Sequence, residues 1–155
     1  LSFIAKTELN KIPILGWGIR NCGHYLVDRN KPRKAVQQLN KITEDLKKNK
    51  NIIIFPEGPR GQPDVLKRFR KGPARLSIGT GKPILPAIII GSGKSWPKGK
   101  FIFKPGKIHV YILEPIDPNS FTIGYKDNEK DLFKTAEAMT KELEEKIKSK
   151  LKELT

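Results

Sequence analysis

The sequence predicts an α/β domain: a mixed, mostly parallel sheet flanked by helices and finished by a long C-terminal amphipathic helix. Three observations predict it. Short β-branched runs alternate with helix-period segments through the first two thirds of the chain. The run Asn51-Ile52-Ile53-Ile54-Phe55 is continuous rather than alternating, the pattern of a strand covered on both faces. The last third carries Leu132, Ala136, Met139, Leu143, Ile147 and Leu151 on one helical stripe, with Glu and Lys on the other faces.

In chain order, Ser2–Lys6 reads as a short strand entering a polar turn. Residues 9–22 are apolar but contain Pro13, Gly16 and Gly18, so any helix there is short or irregular. Tyr25–Val27 is a strand stopped by Asp28-Arg29-Asn30. Val36, Leu39, Ile42 and Leu46 then recur at helical spacing, with Pro32 at the start and Asn49 at the end. Residues 56–64 form a loop rich in Pro and Gly, and 73–79 a short helix opened by Pro73. Residues 84–90 read as a second buried strand, 91–99 as a loop, and 108–113 as the last strand. Asn128, with Asp131 after it, suits the start of the final helix.

The 155 residues suit one domain, 1–155, and 37% hydrophobic residues are enough for a core. No apolar run approaches the ~20 residues of a membrane-spanning helix. A single cysteine, Cys22, excludes an internal disulfide framework. The net charge of +15 attracts phosphate, whether on nucleic acid, on acidic headgroups or on a small phosphorylated molecule. Composition does not choose among these, and a solvated basic surface accounts for the same charge. No Cys/His cluster points to a metal and no phosphate-cradling Gly loop to a nucleotide.

The stretch Phe55-Pro56-Glu57-Gly58-Pro59-Arg60 carries the most chemistry. A buried strand running into a loop with an acid, a glycine and an arginine is where open α/β sheets place ligands. Arg60 offers a planar cationic fork for phosphate oxygens. Glu57 can hold that fork or accept a hydrogen bond from a substrate hydroxyl, and Gly58 admits close backbone approach. A plain turn with a local Glu–Arg ion pair is the competing reading. Of the aromatic residues, Trp96, beside Lys94, Pro97, Lys98 and Lys100, suits a membrane interface; Trp17 suits either an interface or the core.

The hexapeptide does not stand alone. Lys6-Thr7-Glu8-Leu9 with Pro13 and Gly16 precedes it, then Gly23-His24-Tyr25-Leu26-Val27-Asp28-Arg29. Phe69-Arg70-Lys71-Gly72 and Pro83-Ile84-Leu85-Pro86 follow, then Ser92-Gly93, Trp96-Pro97 and Lys104-Pro105-Gly106. In content and order these resemble the blocks of the glycerolipid acyltransferases of the lysophosphatidate acyltransferase type, and the fold expected is theirs. The resemblance implies an O-acyltransferase of phospholipid biosynthesis. Its donor is an acyl thioester of coenzyme A or acyl carrier protein, its acceptor 1-acylglycerol 3-phosphate, its product phosphatidate. No cofactor is implied. Lys6 and Arg60 are expected on the acceptor phosphate, Glu57 and Gly58 shaping the acceptor site, and Arg29 supporting it. The partners implied are lysophosphatidate, the thioester or its carrier protein, and an anionic membrane surface on the cytoplasmic face, with no nucleic acid.

Two departures qualify the resemblance. The family's Asn-His-x-x-x-x-Asp block, with its general base, has no counterpart here, and it is expected upstream of Leu1 together with a membrane anchor. The chain as given is thus expected to hold the acceptor-binding part of the site and to be inactive alone. His24 and Asp28 do not replace the block. They are four residues apart on a strand, roughly 13 Å at the usual rise. His109 is expected to be structural. In the third block, Pro59 and Gly61 stand where the family commonly has Thr and Ser. Two alternatives remain beside the enzyme: a non-catalytic phosphate- or lipid-binding fragment, and a basic nucleic-acid-binding module.

Overall fold

The structure, a computed structural model, describes residues 1–27, 32–58, 65–97, 99, 102–121 and 129–154. These form two compact units, Leu1–Phe55 and Pro56–Thr155.

The first unit is built on three parallel strands in the order β2-β1-β3, with β1 Ser2–Lys6, β2 Tyr25–Val27 and β3 Ile52–Ile53. Register pairs Lys6 with Val27 on one side of β1 and Ser2 with Ile52 on the other. Parallel neighbours need crossovers, and two helices supply them. A 3-10 turn, Thr7–Lys11, leads into α1, Pro13–Asn21, and α2 spans Pro32–Lys47. The glycines foreseen as helix weakeners limit α1 to nine residues without abolishing it. Gly16 is required there: a Cβ on it would lie 2.5 Å from the Asn10 carbonyl oxygen. Gly16 and Ile19 face inward, which turns Ile14 and Trp17 outward; Trp17 is 64% exposed and is no core residue.

On α2 the expected stripe is buried at Ile42 and half-buried at Leu39 and Leu46. The helix ends where Asn49 adopts a left-handed φ of 62°. There the Asn49 N–H donates to the Leu46 carbonyl and the Lys50 N–H to that of Asp45. The strand expected over 51–55 pairs only at Ile52–Ile53, and both residues are half-buried because a single neighbour, β1, flanks them.

The second unit packs α3, Gly72–Thr80, against α5, Glu129–Leu154, and sets α5 beside an antiparallel pair, β4 Ala87–Ile90 with β5 His109–Ile112. Its core is Phe69, Ala74, Ile88, Ile116 and the α5 stripe Ala136, Met139, Leu143 and Ile147. The stripe read from the sequence is thus the spine of this unit, and Leu151 extends it half-buried. The strand expected over 84–90 is shorter and one-sided. Pro86 has no N–H for a ladder, so Ile84 makes an isolated bridge to Ile116 and the strand starts at Ala87. Ile88 is buried, but Ile89 opposite Val110, and Ile112 opposite Ala87, leave an exposed apolar face. Within the expected loop 91–99, Ser92–Ser95 forms a one-turn helix, α4. Asn128 lies outside the described residues.

Candidate functional site

Lys6 is the last residue of the central strand of the first unit, beside the last residue of β2. Its backbone is thereby fixed at the carboxyl end of a parallel sheet, where such folds bind ligands. Arg29, two residues beyond β2 in sequence, lies outside the described residues, as does Asp28.

In the second unit the Pro56-Glu57-Gly58 turn is held by backbone donors from the Phe69-Arg70 region. The Arg70 N–H donates to the Pro56 carbonyl at 3.0 Å. The Lys67 N–H donates to Glu57 Oε2 at 3.1 Å. Gly58 then takes a left-handed φ of 83°, which a side chain would strain. The carboxylate of Glu57 therefore orders its own loop instead of facing water unrestrained. Arg60 and the rest of the loop, 59–64, lie outside the described residues.

The segment supplying those donors is itself anchored to α5. Phe69 is buried, and its N–H donates to Glu144 Oε2 at 3.2 Å. The Lys148 ammonium, 2.7 Å from Glu144 Oε1, holds that carboxyl below the ordinary glutamate range against partial burial, and the Phe69 N–H adds to this. Next along the chain, Lys71 pairs with Glu137 at 3.2 Å and sits over the Phe133 ring at 3.7 Å. So the Glu57 turn is tied through residues 67–71 to the most regular element of its unit. Preorganisation of this kind lets a loop present donors without first being ordered by its ligand.

Of the five sequence-predicted residues, then, the structure fixes the strand-end backbone of Lys6 and the turn at Glu57 and Gly58. Arg29 and Arg60 fall among undescribed positions. Sequence reading missed Lys67, Phe69 and Glu144 as supports. The Phe69-Arg70-Lys71-Gly72 motif was the available signal, but it does not reveal that the segment acts through backbone N–H groups.

The histidines take other parts. His24 Nδ1 accepts the Phe3 N–H at 3.3 Å, and its ring meets that of Phe3 edge-on at 5.1 Å. His109 lies exposed on β5, its ring stacked 6.3 Å from Tyr111. Among the described residues no group of His, Cys, Asp and Glu is arranged to hold a metal ion, and no helix is long and apolar enough to cross a membrane.

Comparison with known proteins points to one family. A family model described as Acyltransferase matches residues 1–90. The 1-acyl-sn-glycerol-3-phosphate acyltransferase BAT2 of Brassica napus is 36% identical over 115 residues, covering 74% of this chain and 33% of its own length. The 1-acyl-sn-glycerol-3-phosphate acyltransferase of Pseudomonas aeruginosa is 36% identical over 113 residues, covering 72% of this chain and 44% of its own length. Among solved structures, the 1-acyl-sn-glycerophosphate acyltransferase PlsC of Thermotoga maritima aligns with a TM-score of 0.69 and 35% identity, over 99% of this chain and 56% of that one. The chain thus spans less than half the length of these two curated relatives. With the family match covering more than half of its residues, the chain belongs to the acyltransferase family.

Proposed function

We propose that the protein carrying this chain acylates 1-acylglycerol 3-phosphate to phosphatidate. The observation that supports this above others is the match of residues 1–90 to the acyltransferase family, with relatives named for that reaction at 36% identity. In this reading Lys6 and Arg60 grip the acceptor phosphate and Arg29 supports them, while Glu57 and Gly58 shape the pocket. Two cations on one dianion fix the acceptor so that its free hydroxyl is held against the thioester carbonyl. The hydroxyl oxygen attacks that carbonyl and gives its proton to a base; the carbon–sulfur bond breaks and the thiolate leaves to be protonated. In this reading the base is a histidine oriented by an aspartate, as the family resemblance implies. The donor is acyl-coenzyme A or acyl-acyl carrier protein, and the protein works at the anionic cytoplasmic face of the membrane.

The test is acceptor kinetics of Arg60→Ala in the full-length protein. The expected loss in kcat/KM is about a hundredfold for lysophosphatidate, and much smaller for a monoacylglycerol without phosphate. Equal losses on both acceptors, or none, would remove Arg60 from the phosphate site. A second reading, a non-catalytic lipid- or phosphate-binding fragment, is favoured by the engagement of His24 Nδ1 with the Phe3 backbone. Turnover of lysophosphatidate by the full-length protein separates the two: acyl transfer supports the enzyme, and phosphate binding without acyl transfer supports the second reading.

A further inference from the structure

The second unit carries a feature that the acceptor site does not use. Between β4 and β5 the described residues, 91–97, 99 and 102–108, close on one another. At the base Gly91 (φ 92°) abuts the Lys107 carbonyl so closely that a Cβ would overlap it. Farther out, the Lys104 N–H donates to the Ser95 carbonyl at 2.8 Å. Trp96 and Phe103 pack ring against ring at 4.7 Å. Closure does not hide the apolar groups. Ile102 is 79% exposed, Phe103 66% and Trp96 38%. Lys94, Lys104 and Lys107 are all exposed beside them. The sequence between Gly91 and Ile108 contains five lysines (Lys94, Lys98, Lys100, Lys104, Lys107) and no acid.

Scattered exposed apolar residues are ordinary, but a pinned aromatic pair with an adjacent isoleucine in a lysine-bearing stretch without an acid is not. Tryptophan and phenylalanine settle at the headgroup level of a bilayer, and lysine ammonium groups meet anionic lipid phosphates there. On β5 and its approach Ile108, Val110 and Ile112 are also more than half exposed. We propose that residues 92–97 and 102–107 form a membrane-docking element, inserting Trp96, Ile102 and Phe103 into the interface of an anionic bilayer while Lys94, Lys104 and Lys107 bind its headgroups. This rests on the reading that the protein meets its lipid substrate at a membrane, and it assigns that contact to one loop. An acidic carrier protein would be drawn by the same lysines, but nothing in that attraction calls for exposed Ile102 and Phe103.

Binding to vesicles tests it without any acyl transfer, so its failure leaves the proposed reaction standing, and the reverse. In a Trp17→Phe background Trp96 is the remaining tryptophan. Its emission should shift to the blue with vesicles of 70% phosphatidylcholine and 30% phosphatidylglycerol, and brominated acyl chains should quench it. An unshifted, unquenched Trp96 overturns the proposal. Ile102→Glu, at a position open enough to spare the fold, should weaken vesicle binding roughly tenfold. Replacing Lys94, Lys104 and Lys107 by Gln should weaken it roughly a hundredfold and flatten its salt dependence. Replacing Lys130, Lys134 and Lys152 of α5 by Gln is the control. An equal loss there would mean net charge alone drives binding, and would overturn the loop's role. Loop variants that lose an acidic acyl carrier protein yet keep full vesicle binding would overturn it in favour of a protein partner.

Discussion

The two units solve the burial of apolar surface in different ways. Pro56–Thr155 gathers eight buried residues into one cluster around α5. Among its described residues Leu1–Phe55 buries Ile19, Tyr25, Val27 and Ile42 on separate strands and helices, and both units leave large apolar residues exposed, Trp17 in the first and Ile102 in the second among them. The difference follows from architecture. An amphipathic helix of 26 residues presents one continuous stripe, and α3 with an antiparallel pair suffices to cover it. A parallel sheet has two faces to cover, and the buried residues of the first unit are divided among its strands and helices. The second unit therefore holds its shape with its own side chains, and the Glu57 turn borrows that rigidity through Lys67, Phe69 and Glu144.

The largest expected effect comes from breaking the self-sufficient core. Met139 is fully buried in the middle of the α5 stripe. Met139→Ala should cost about 2–5 kcal/mol through lost burial and the cavity left behind. Hydrogen exchange read peptide by peptide checks the comparison as well as the cost. Protection should fall across α3, β4 and α5, with much smaller changes in residues 1–27 and 38–55. Equal loss in both would show that the units unfold as one.

A smaller effect is expected in the first unit, where steric fit at one position matters more than volume. Gly16→Ala puts a methyl carbon 2.5 Å from the Asn10 carbonyl oxygen, and that neighbour is backbone. Either the 3-10 turn or α1 must shift, at about 1–3 kcal/mol, which outweighs the better helix propensity of alanine. The midpoint of urea denaturation followed by Trp17 emission, in a Trp96→Phe background, measures it. An unchanged or raised midpoint would mean that the turn and helix are not packed as described.

The same contrast explains what the sequence made legible. The α5 stripe was readable because one period repeats over about five turns, and β1, β2 and α2 because each is bounded by its own turn residues. The pairing Lys6 to Val27, which brings two strand ends together, follows from the alternation of strand and helix. Legibility failed where one residue settles the matter. Pro86 removed three residues from β4, and the face of α1 that Gly16 occupies decided that Trp17 points outward. The supports of Glu57 were hidden for another reason. A backbone N–H has no residue type, and Phe69 and Glu144 are 75 positions apart, so no local pattern announces their bond. The family was legible through its motifs, but how the Glu57 loop is held was not.

The mildest effect belongs to the polar contact that ties β2 to α2. The Tyr25 hydroxyl donates to Asp45 Oδ2 at 2.5 Å, and Lys50 pairs with the same oxygen at 3.2 Å. Burial, then the bond to Asp45 and its charge, push the tyrosine from 10.0 up to about 12. The bond from Tyr25, followed by that from Lys50, holds the Asp45 carboxyl below its usual 3.8. The signs are opposite on the two limbs. Asp45 binds its proton less readily when folded, so its contribution is present above the unfolded value and is lost as pH falls through the lowered one. Tyr25 keeps its proton more firmly when folded, so its contribution is full below pH 10 and fades as pH rises toward 12. Tyr25→Phe should therefore lower the melting temperature by a few degrees at pH 7. The gap from the parent chain should close between pH 10 and 12, because lysine titration acts on both chains alike and only the parent has the phenol to lose. A gap that stays constant to pH 12 would mean that the hydroxyl does not couple β2 to α2, and that apolar packing of Ile42 and Val27 alone joins them.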